Sequence, residues 1–257
     1  MRLPARLLAL ALATSACVYP PGAALAAPSV KLRVSFDPAV AGARTTIKLG
    51  LRISGQGGSP PPPVSALALR FPPNMGIATT TLGQANCEPA QLFSRGLTGC
   101  SANARIGGGT ATAIVPVGGQ LVRERASLSV LMGPSLEDQL EVLFYVEALS
   151  PVFAQLVFPS VVEEDAPPYG EQLDTTVPLV QTWPDGPDLA LETFASTIGP
   201  QGLTYHRKVG ATTVAYRPRG IRLPIVCPAG GFLFGALLSF QDGTHTTGTY
   251  RVPCPSR

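Results

Sequence analysis

The chain has 257 residues and a formal net charge of +3, with 45% hydrophobic residues, 27 glycines and 27 prolines. This length allows one large domain or two small ones. A nearly neutral chain without a basic run argues against nucleic acid as the partner.

The first 26 residues have the order of a secretory signal peptide. Two arginines precede a short apolar run, small residues follow, and an A-x-A site stands at 24–26. We expect cleavage before Ala27, which leaves residues 27–257 as the exported body. The alternative is a lipid anchor on Cys17, because residues 14–17 resemble a bacterial lipobox. No later segment is long and apolar enough to predict a transmembrane helix.

The rest of the chain predicts short strands between glycine- and proline-rich turns. Apolar and polar residues alternate over 30–36 and 45–54, which is the period of a half-buried strand. Further strands are predicted over 64–71, 110–117, 126–132, 139–149, 153–158, 177–182, 189–198, 212–216, 221–227, 232–240 and 244–252. One helical turn is predicted over 88–94. We therefore predict an all-β fold, an Ig-like or jelly-roll-like antiparallel β-sandwich.

Two segments leave the number of domains open. Residues 55–63, GQGGSPPPP, fit either a linker between domains or an exposed loop of one body. The acidic, proline-broken segment 160–174 is the other place for a boundary, which would divide the body into two sandwiches. The glycine run at 107–109 is not followed by a helix or a phosphate-binding lysine motif, so it predicts a turn before a strand.

Four cysteines remain after export, and an even number in an exported protein predicts disulfides. Of three possible connectivities, the most local joins Cys87 to Cys100 and Cys227 to Cys254. Each bond would stabilise the fold by about 3 kcal/mol through its effect on the unfolded chain. We expect no free thiol in the exported protein.

The sequence around these cysteines resembles a known pattern. Residues 69–73, 85–87 and 99–109 are similar to segments of secreted, uncharacterised bacterial β-sandwich proteins with a two-cysteine loop before an I-G-x-G strand. Residues 227–232, 240–243 and 252–255 resemble the last hairpin of those proteins. The resemblance implies an exported β-sandwich and no known activity.

Carboxylates supply the one candidate ion site. Residues 160–174 hold five acids that would suit calcium, which takes six to eight oxygen ligands from loops. The D-x-D-x-D-G series is absent, so an acidic surface loop is the other interpretation. The five residues are Glu163, Glu164, Asp165, Glu171 and Asp174.

No catalytic or cofactor-binding motif is present in the sequence. The two histidines are His206 and His245. Ser239, Asp242 and His245 are close in sequence, but the G-x-S-x-G turn of a serine hydrolase is missing. We expect these three side chains to point in different directions around a hairpin turn.

Charge falls into three blocks along the chain. Residues 27–125 hold ten basic and three acidic residues, residues 126–206 hold twelve acidic and no basic ones, and residues 207–257 hold seven basic and one acidic. Like charges on adjacent strands are unfavourable. We therefore predict that acidic strands pair with strands of the basic flanks. Glu141 or Glu147 would then meet a residue such as Arg52, Arg70, Arg125 or Arg222.

These features favour an exported, non-enzymatic protein that acts as a structural or binding module at the cell surface or outside the cell. The expected partner is cell-wall material or another envelope protein. The alternative is a hydrolase of an extracellular polymer. Such an enzyme would need two converging carboxylates in a cleft, or a histidine beside a serine and an acid.

Overall fold

The computed structural model describes residues 28–135 and 139–255. The predicted signal peptide, with Cys17, lies outside the described residues. Within the two described segments, no helix combines the length and the apolar character that a membrane span requires.

Strands make up 55% of the structure and helices 8%, which confirms the predicted all-β class. The one α-helix of the described segments, α1, spans Pro89–Arg95, where a helical turn is predicted, and its first residue is a proline. The strands are β1 (Ser29–Asp37), β2 (Arg44–Ser54), β3 (Val64–Phe71), β4 (Arg105–Val117), β5 (Gln120–Met132), β6 (Leu140–Ala148), β7 (Ala154–Glu164), β8 (Glu171–Thr176), β9 (Ala190–Ile198), β10 (Tyr205–Val209), β11 (Thr212–Tyr216), β12 (Ile221–Arg222), β13 (Phe232–Phe240) and β14 (His245–Val252).

Most strands belong to one antiparallel sheet. Its order is β1-β2-β9-β4-β5-β6-β7-β8-β3-β13-β14, with β12 beside β2, and β10 and β11 form a separate hairpin. The strands before and after residues 160–174 share this sheet, because β7 pairs with β8 and β8 pairs with β3. Residues 55–63 connect two of its strands. A division into two sandwiches is not shown.

The sheet curls until its edge strands β1 and β14 face each other. A Cβ placed on Gly248 of β14 would lie 2.7 Å from Val30 Cγ1 of β1, so the fold is nearly barrel-like. The finer prediction, an Ig-like or jelly-roll-like sandwich, is not shown. Alternation along a strand specifies one buried face. Here the buried face is covered by the same sheet, because the sheet curls until its inner surface faces itself across the core.

The inward side chains of the curled sheet form the main core. On β2, Ile47, Leu49, Leu51 and Ile53 are all buried, as the alternation predicts. Burying a side chain of this size contributes about 1.5–3 kcal/mol. A polar residue at an inward position of this sheet lacks this contribution, so its presence calls for a structural or functional explanation.

The glycine run lies inside β4, so the predicted turn before the strand is wrong. Gly107 and Gly109 pair with β9 on one side and with β5 on the other. A Cβ on either residue would overlap a carbonyl oxygen of β9, that of Thr197 or of Ala195. Only glycine allows the two backbones to approach this closely.

Two long connections, residues 72–85 and 199–226, cover one end of the sheet, and we call them the cap. Their buried side chains join the main core. The Tyr205 hydroxyl donates to the Arg105 carbonyl oxygen at 2.6 Å and accepts from the Gly83 N–H at 2.9 Å. This tyrosine therefore joins both parts of the cap to the start of β4. The connections at the opposite end of the sheet are mostly shorter.

The helix α1 covers part of the outer face of the sheet. Leu92 of α1 is fully buried against Leu131 of β5 and against Leu143 and Tyr145 of β6. This second core explains why the outward positions of β6 are partly apolar and aromatic. Residues 86–104 thus form a patch on the outside of the curled sheet.

Strands of the acidic block pair with strands of the basic flanks, as predicted. β9 lies between β2 and β4, and β8 lies beside β3. Two ion pairs join the blocks: Arg70 Nε lies 2.6 Å from Asp165 Oδ2, and Arg123 Nε lies 2.8 Å from Glu192 Oε2.

Glu141 and Glu147 do not meet the arginines predicted for them. Glu141 lies opposite Val161 of β7, and Glu147 lies opposite Gln155. Burial, together with the charge of Glu88, raises the pKa of Glu141. The register between strands decides these neighbours, and the residue pattern of one strand does not determine that register.

Candidate functional site

An apolar cavity lies inside the curled sheet, beneath the cap. The centre of a water-sized molecule can move within about 80 Å³ of this cavity, so only a small or slender molecule fits. Apolar cavities of this kind stay dry and accept apolar molecules. The apolar lining consists of Ile47, Leu49, Leu69, Phe71, Met75, Ile77, Ile106, Leu140, Val142, Phe144, Val162, Leu173, Phe194, Ile198 and Ile221.

Ser196 places a hydroxyl group in this apolar wall. It faces inward on β9 between Phe194 and Ile198, since alternate residues of a strand share a face. The residue is 5% exposed, and its Oγ has no hydrogen-bond partner among the described residues. By contrast, Ser160 Oγ and Thr175 Oγ1 are buried as a pair 2.6 Å apart. An unpaired buried hydroxyl costs about 1–3 kcal/mol, which a polar atom of a ligand would offset.

Glu171 is the ionisable residue of the cavity lining. It begins β8 at the cap end of the sheet, opposite Phe71 on β3 and Glu164 on β7. Burial raises the pKa of its carboxyl. Within the described segments no lysine or arginine forms a salt bridge with it. A hydrogen-bonding or cationic group on a ligand would therefore find a carboxyl without an ionic partner.

The five predicted calcium ligands do not converge. Asp165 pairs with Arg70, Glu171 lines the cavity, and Asp174 lies on the outer face of β8. Successive residues of a strand point to opposite faces of the sheet. Glu171 and Asp174 are three residues apart on β8, so their side chains lie on opposite faces. In the parts of the chain that the structure describes, no group of three or more His, Cys, Asp or Glu residues is arranged to hold a metal ion.

Glu163 and Asp174 lie on the outer face of the sheet, whereas Glu164 lies opposite Glu171 at the cap end. The two glutamates are exposed at the end of β7. The pKa of Asp174 is raised, first by burial and then by the charges of Glu163 and Asp165. A cation would relieve this repulsion, but calcium takes six to eight oxygen ligands. The calcium site stays a prediction without support from the geometry.

Asp165 has a structural partner. Its carboxylate oxygens accept hydrogen bonds from Arg70 Nε at 2.6 Å and from Arg70 Nη2 at 2.7 Å. The Arg70 guanidinium also lies 4.2 Å from the centre of the Tyr169 ring. The hydrogen bond from Arg70 lowers the pKa of Asp165. This pair holds the turn between β7 and β8 against β3.

We expect Asp165→Asn to lower the free energy of unfolding by about 1–2 kcal/mol at neutral pH, because Arg70 loses a charged, bidentate partner. Since the folded-state pKa of Asp165 is lowered, its contribution is complete above the unfolded pKa of about 3.9. The contribution is lost as the pH falls through the folded pKa. Urea unfolding at a series of acidic pH values should show a weaker pH dependence for the variant.

The control for this prediction is Asp37→Asn. Asp37 pairs with Lys48 at 3.0 Å, but both side chains are largely exposed, 57% and 43%. Such pairs contribute about 0–1 kcal/mol. Equal losses in the two variants would contradict the structural role of Asp165.

The four cysteines pair as predicted. The Cα atoms are 5.3 Å apart for Cys87 and Cys100 and 5.8 Å apart for Cys227 and Cys254, within the range of disulfides. Such bonds indicate an oxidising, extracellular environment. The first fastens the segment that carries α1, and the second fastens the end of the cap to the residues after β14.

Ser239 and His245 are in contact, so the expectation that they point apart is wrong. They lie opposite each other on β13 and β14, with His245 Nδ1 3.0 Å from Ser239 Oγ. Asp242 instead accepts hydrogen bonds from Thr244 in the turn. No described carboxylate bonds the imidazole, which a serine hydrolase requires. His206 is exposed on β10.

The sequence predicts Glu171 as an ion ligand and does not single out Ser196. A signal for Ser196 exists, because Phe194, Ser196 and Ile198 follow each other at period two on β9. The cap residues that close the cavity, such as Met75, lie in an irregular segment. No periodicity marks them as buried.

Comparison with family models, with curated proteins and with solved structures finds no match to this chain. The resemblance to secreted bacterial β-sandwich proteins therefore stays a prediction. The function has to be inferred from the cavity, the cap and the disulfides themselves.

Proposed function

We propose that this protein is an exported, non-enzymatic β protein that binds a slim apolar molecule. The observation that carries the proposal is the cavity beneath the cap, whose lining is apolar apart from Gly76, Ser196 and Glu171. An apolar lining with a few placed polar groups is the usual form of a small-molecule site. The protein would act as a binding module at the cell surface or outside the cell.

The lining supports a particular class of ligand. The centre of a water-sized molecule can move within about 80 Å³ of the cavity. A space of this size suits an unbranched alkyl or acyl chain better than a fused ring system. Burying such a chain contributes about 0.8 kcal/mol for each CH₂ group. The unpaired Ser196 hydroxyl offers one hydrogen bond to a polar atom of the ligand. Glu171 offers a second at the cap end of the sheet.

Two observations support export. Both cysteine pairs lie at disulfide distance, and residues 1–26 have the pattern of a signal peptide. The lipid anchor on Cys17 is the alternative to free secretion. Cell-wall material and another envelope protein stay the predicted partners.

A hydrolase of an extracellular polymer has one observation in its favour, the contact between His245 Nδ1 and Ser239 Oγ at 3.0 Å. A shallow depression on the outer face places Asp174 and Glu163 in the same surface region as Ser239. Catalysis would also need a carboxylate on the imidazole and donors for the oxyanion. The cavity supports binding more directly.

Binding of 1-decanol tests the proposal, because a straight chain with one hydroxyl matches the cavity. We expect 1-decanol to raise the melting temperature and to shift the NMR methyl signals of cavity residues such as Ile106 and Ile198. Ser196→Leu fills the cavity from β9 and should abolish both effects. Thr197→Leu is the matched control and should bind as the wild type does, since the next residue of a strand faces the other side.

The role of the carboxyl is tested separately. Glu171→Gln should weaken the binding of decylamine at neutral pH and leave the binding of 1-decanol unchanged. Shifts confined to surface methyl groups would overturn the proposed site. A folded Ser196→Leu variant that binds 1-decanol as tightly as the wild type would do the same.

A further inference from the structure

The cap exposes aliphatic side chains. Val209 and Val214 of the β10–β11 hairpin are 55% and 39% exposed, and Ile225 and Val226, which follow β12, are 70% and 79% exposed. The register of the hairpin puts both valines on the face that also carries Tyr205. This face of the hairpin therefore begins in the core at Tyr205 and reaches solvent at Arg207, Val209 and Val214.

The two exposed segments lie on the same side of the cap end. Tyr205, at the base of the hairpin, bonds the Arg105 carbonyl at the start of β4. Next to Ile225, the Gly42 N–H donates to the Pro224 carbonyl oxygen at 3.2 Å, just before β2. In the sheet, β9 alone separates β2 from β4. The aliphatic groups thus adjoin two strands that have one strand between them.

The same part of the cap is strongly basic. Residues 199–226 hold five basic residues and no acidic one. Among the described residues, none of the five forms a salt bridge with a carboxylate. Among the described acids of this end, Glu141, Glu164, Asp165 and Glu171 belong to the β6–β8 side of the sheet. Asp37, at the end of β1, pairs with Lys48. The five exposed basic residues are Arg207, Lys208, Arg217, Arg219 and Arg222.

The opposite end of the sheet combines exposed apolar groups with the reverse charge. Leu149 and Phe153 are 71% and 67% exposed there. The connections at that end hold three aspartates, Asp185, Asp188 and Asp242, and no basic residue. Exposed apolar groups therefore occur at both ends, but the described connections of the opposite end hold no basic residue, whereas the cap holds five.

We propose that the cap docks on an anionic lipid bilayer. Basic residues attract a protein to such a surface, and aliphatic side chains among them enter the boundary between headgroups and acyl chains. Val209, Val214, Ile225 and Val226 are the inserted groups, and the five basic residues contact the lipid phosphates. A soluble polyanion would use the charges but would gain nothing from the exposed aliphatic groups.

Docking would bring the cap against a source of alkyl chains. The cavity lies directly beneath the cap, and Ile221 and Met75 of the cap line it. The docking surface does not depend on the proposed ligand, because its residues lie outside the cavity lining. The proposed ligand and the proposed docking can therefore each be refuted without affecting the other.

Vesicle flotation tests the docking. We expect the purified protein to float with vesicles of equal parts phosphatidylglycerol and phosphatidylcholine and not with pure phosphatidylcholine. Binding should fall as salt rises, since exposed charges are screened. Ile225→Ser/Val226→Ser and Arg207→Gln/Lys208→Gln should each weaken binding by about tenfold. All substituted residues are exposed, and unchanged melting temperatures would show that the variants fold.

The matched control is Leu149→Ser/Phe153→Ser, which removes apolar groups from the opposite end and should float like the wild type. Equal binding to neutral and anionic vesicles would overturn the proposal, as would an equal loss in the control variant. Binding to polyphosphate that is as tight as to anionic vesicles and insensitive to Ile225→Ser/Val226→Ser would point to a soluble polyanion instead. The aliphatic variant should still bind 1-decanol, which keeps the two proposals distinguishable.

Discussion

Replacing both cysteines of one disulfide with serine, Cys227→Ser/Cys254→Ser, is expected to lower the free energy of unfolding by roughly 3–4 kcal/mol. The bond spans a sequence separation of 27 residues, and its removal returns conformational entropy to the unfolded chain. It also joins the end of the cap to the residues that follow β14. Urea unfolding of the oxidised wild type and the double variant, followed by circular dichroism, measures the difference.

The second disulfide supplies the matched comparison. Cys87 and Cys100 are separated by 13 residues, so the chain-entropy argument gives a smaller loss, about 3 kcal/mol. Cys87 is 1% exposed beside Leu92, and a serine there adds a buried hydroxyl to this loss. A loss below about 1 kcal/mol for Cys227→Ser/Cys254→Ser would contradict the stabilising role. A reactive thiol from any of these four cysteines in denatured, unreduced protein would contradict the pairing.

Most strands were predictable because the residue alternation of each one marks it. The strand predicted over 177–182 is wrong, and β8 begins in the segment 160–174, where no strand is predicted. Ile47, Leu49, Leu51 and Ile53 alternate with polar residues on β2, and one buried face follows from that alternation alone. The helical turn at Pro89 and the local pairing of the cysteines also depend on neighbouring residues. Interactions between near neighbours leave a pattern in the sequence, and these are the features that the sequence predicts correctly.

The closure of the sheet was not predictable from the same evidence. An inward face can be covered by a second sheet or by the same sheet curled round, and the alternation is identical in both cases. The glycine run shows the same limit. Gly107 and Gly109 are needed where β9 comes close to β4, and that contact joins residues about ninety positions apart.

The candidate site depends on such distant contacts. Ser196 and Glu171 come from strands on different sides of the cavity, and Met75 reaches it from the cap. The five acids of residues 160–174 are close in sequence, but the β7–β8 hairpin separates them onto two faces. Sequence proximity therefore predicted a site that does not assemble. The site that does assemble is made by the closure of the sheet.

One buried tyrosine joins both parts of the cap to the sheet. Tyr205 is fully buried, and its ring packs edge-on against Tyr216 with 5.9 Å between ring centres. Its hydroxyl accepts a hydrogen bond from the Gly83 N–H of the cap and donates one to the Arg105 carbonyl oxygen of β4. Met75 and Ile221 of the cap line the cavity, so this contact contributes to keeping the cavity covered.

Tyr205→Ala is therefore expected to lower the free energy of unfolding by about 3–5 kcal/mol, since it removes a large buried ring and leaves a cavity. Tyr205→Phe keeps the ring but leaves the Gly83 N–H without its partner, which costs about 1–3 kcal/mol. Hydrogen exchange should show faster exchange for the Gly83 amide than for the amides of β13, because the cap opens before the sheet does. Urea unfolding gives the global loss for each variant.

Tyr216→Phe is the matched control for the hydroxyl. The Tyr216 hydroxyl donates to Gln84 Oε1 in a more exposed place, so its loss should cost about 0.5–1.5 kcal/mol. The order of destabilisation is then Tyr205→Ala, Tyr205→Phe and Tyr216→Phe. A Tyr205→Phe variant as stable as the wild type, with unchanged exchange at Gly83, would show that the hydroxyl does not hold the cap. The two hydrogen bonds would then contribute nothing to its closure.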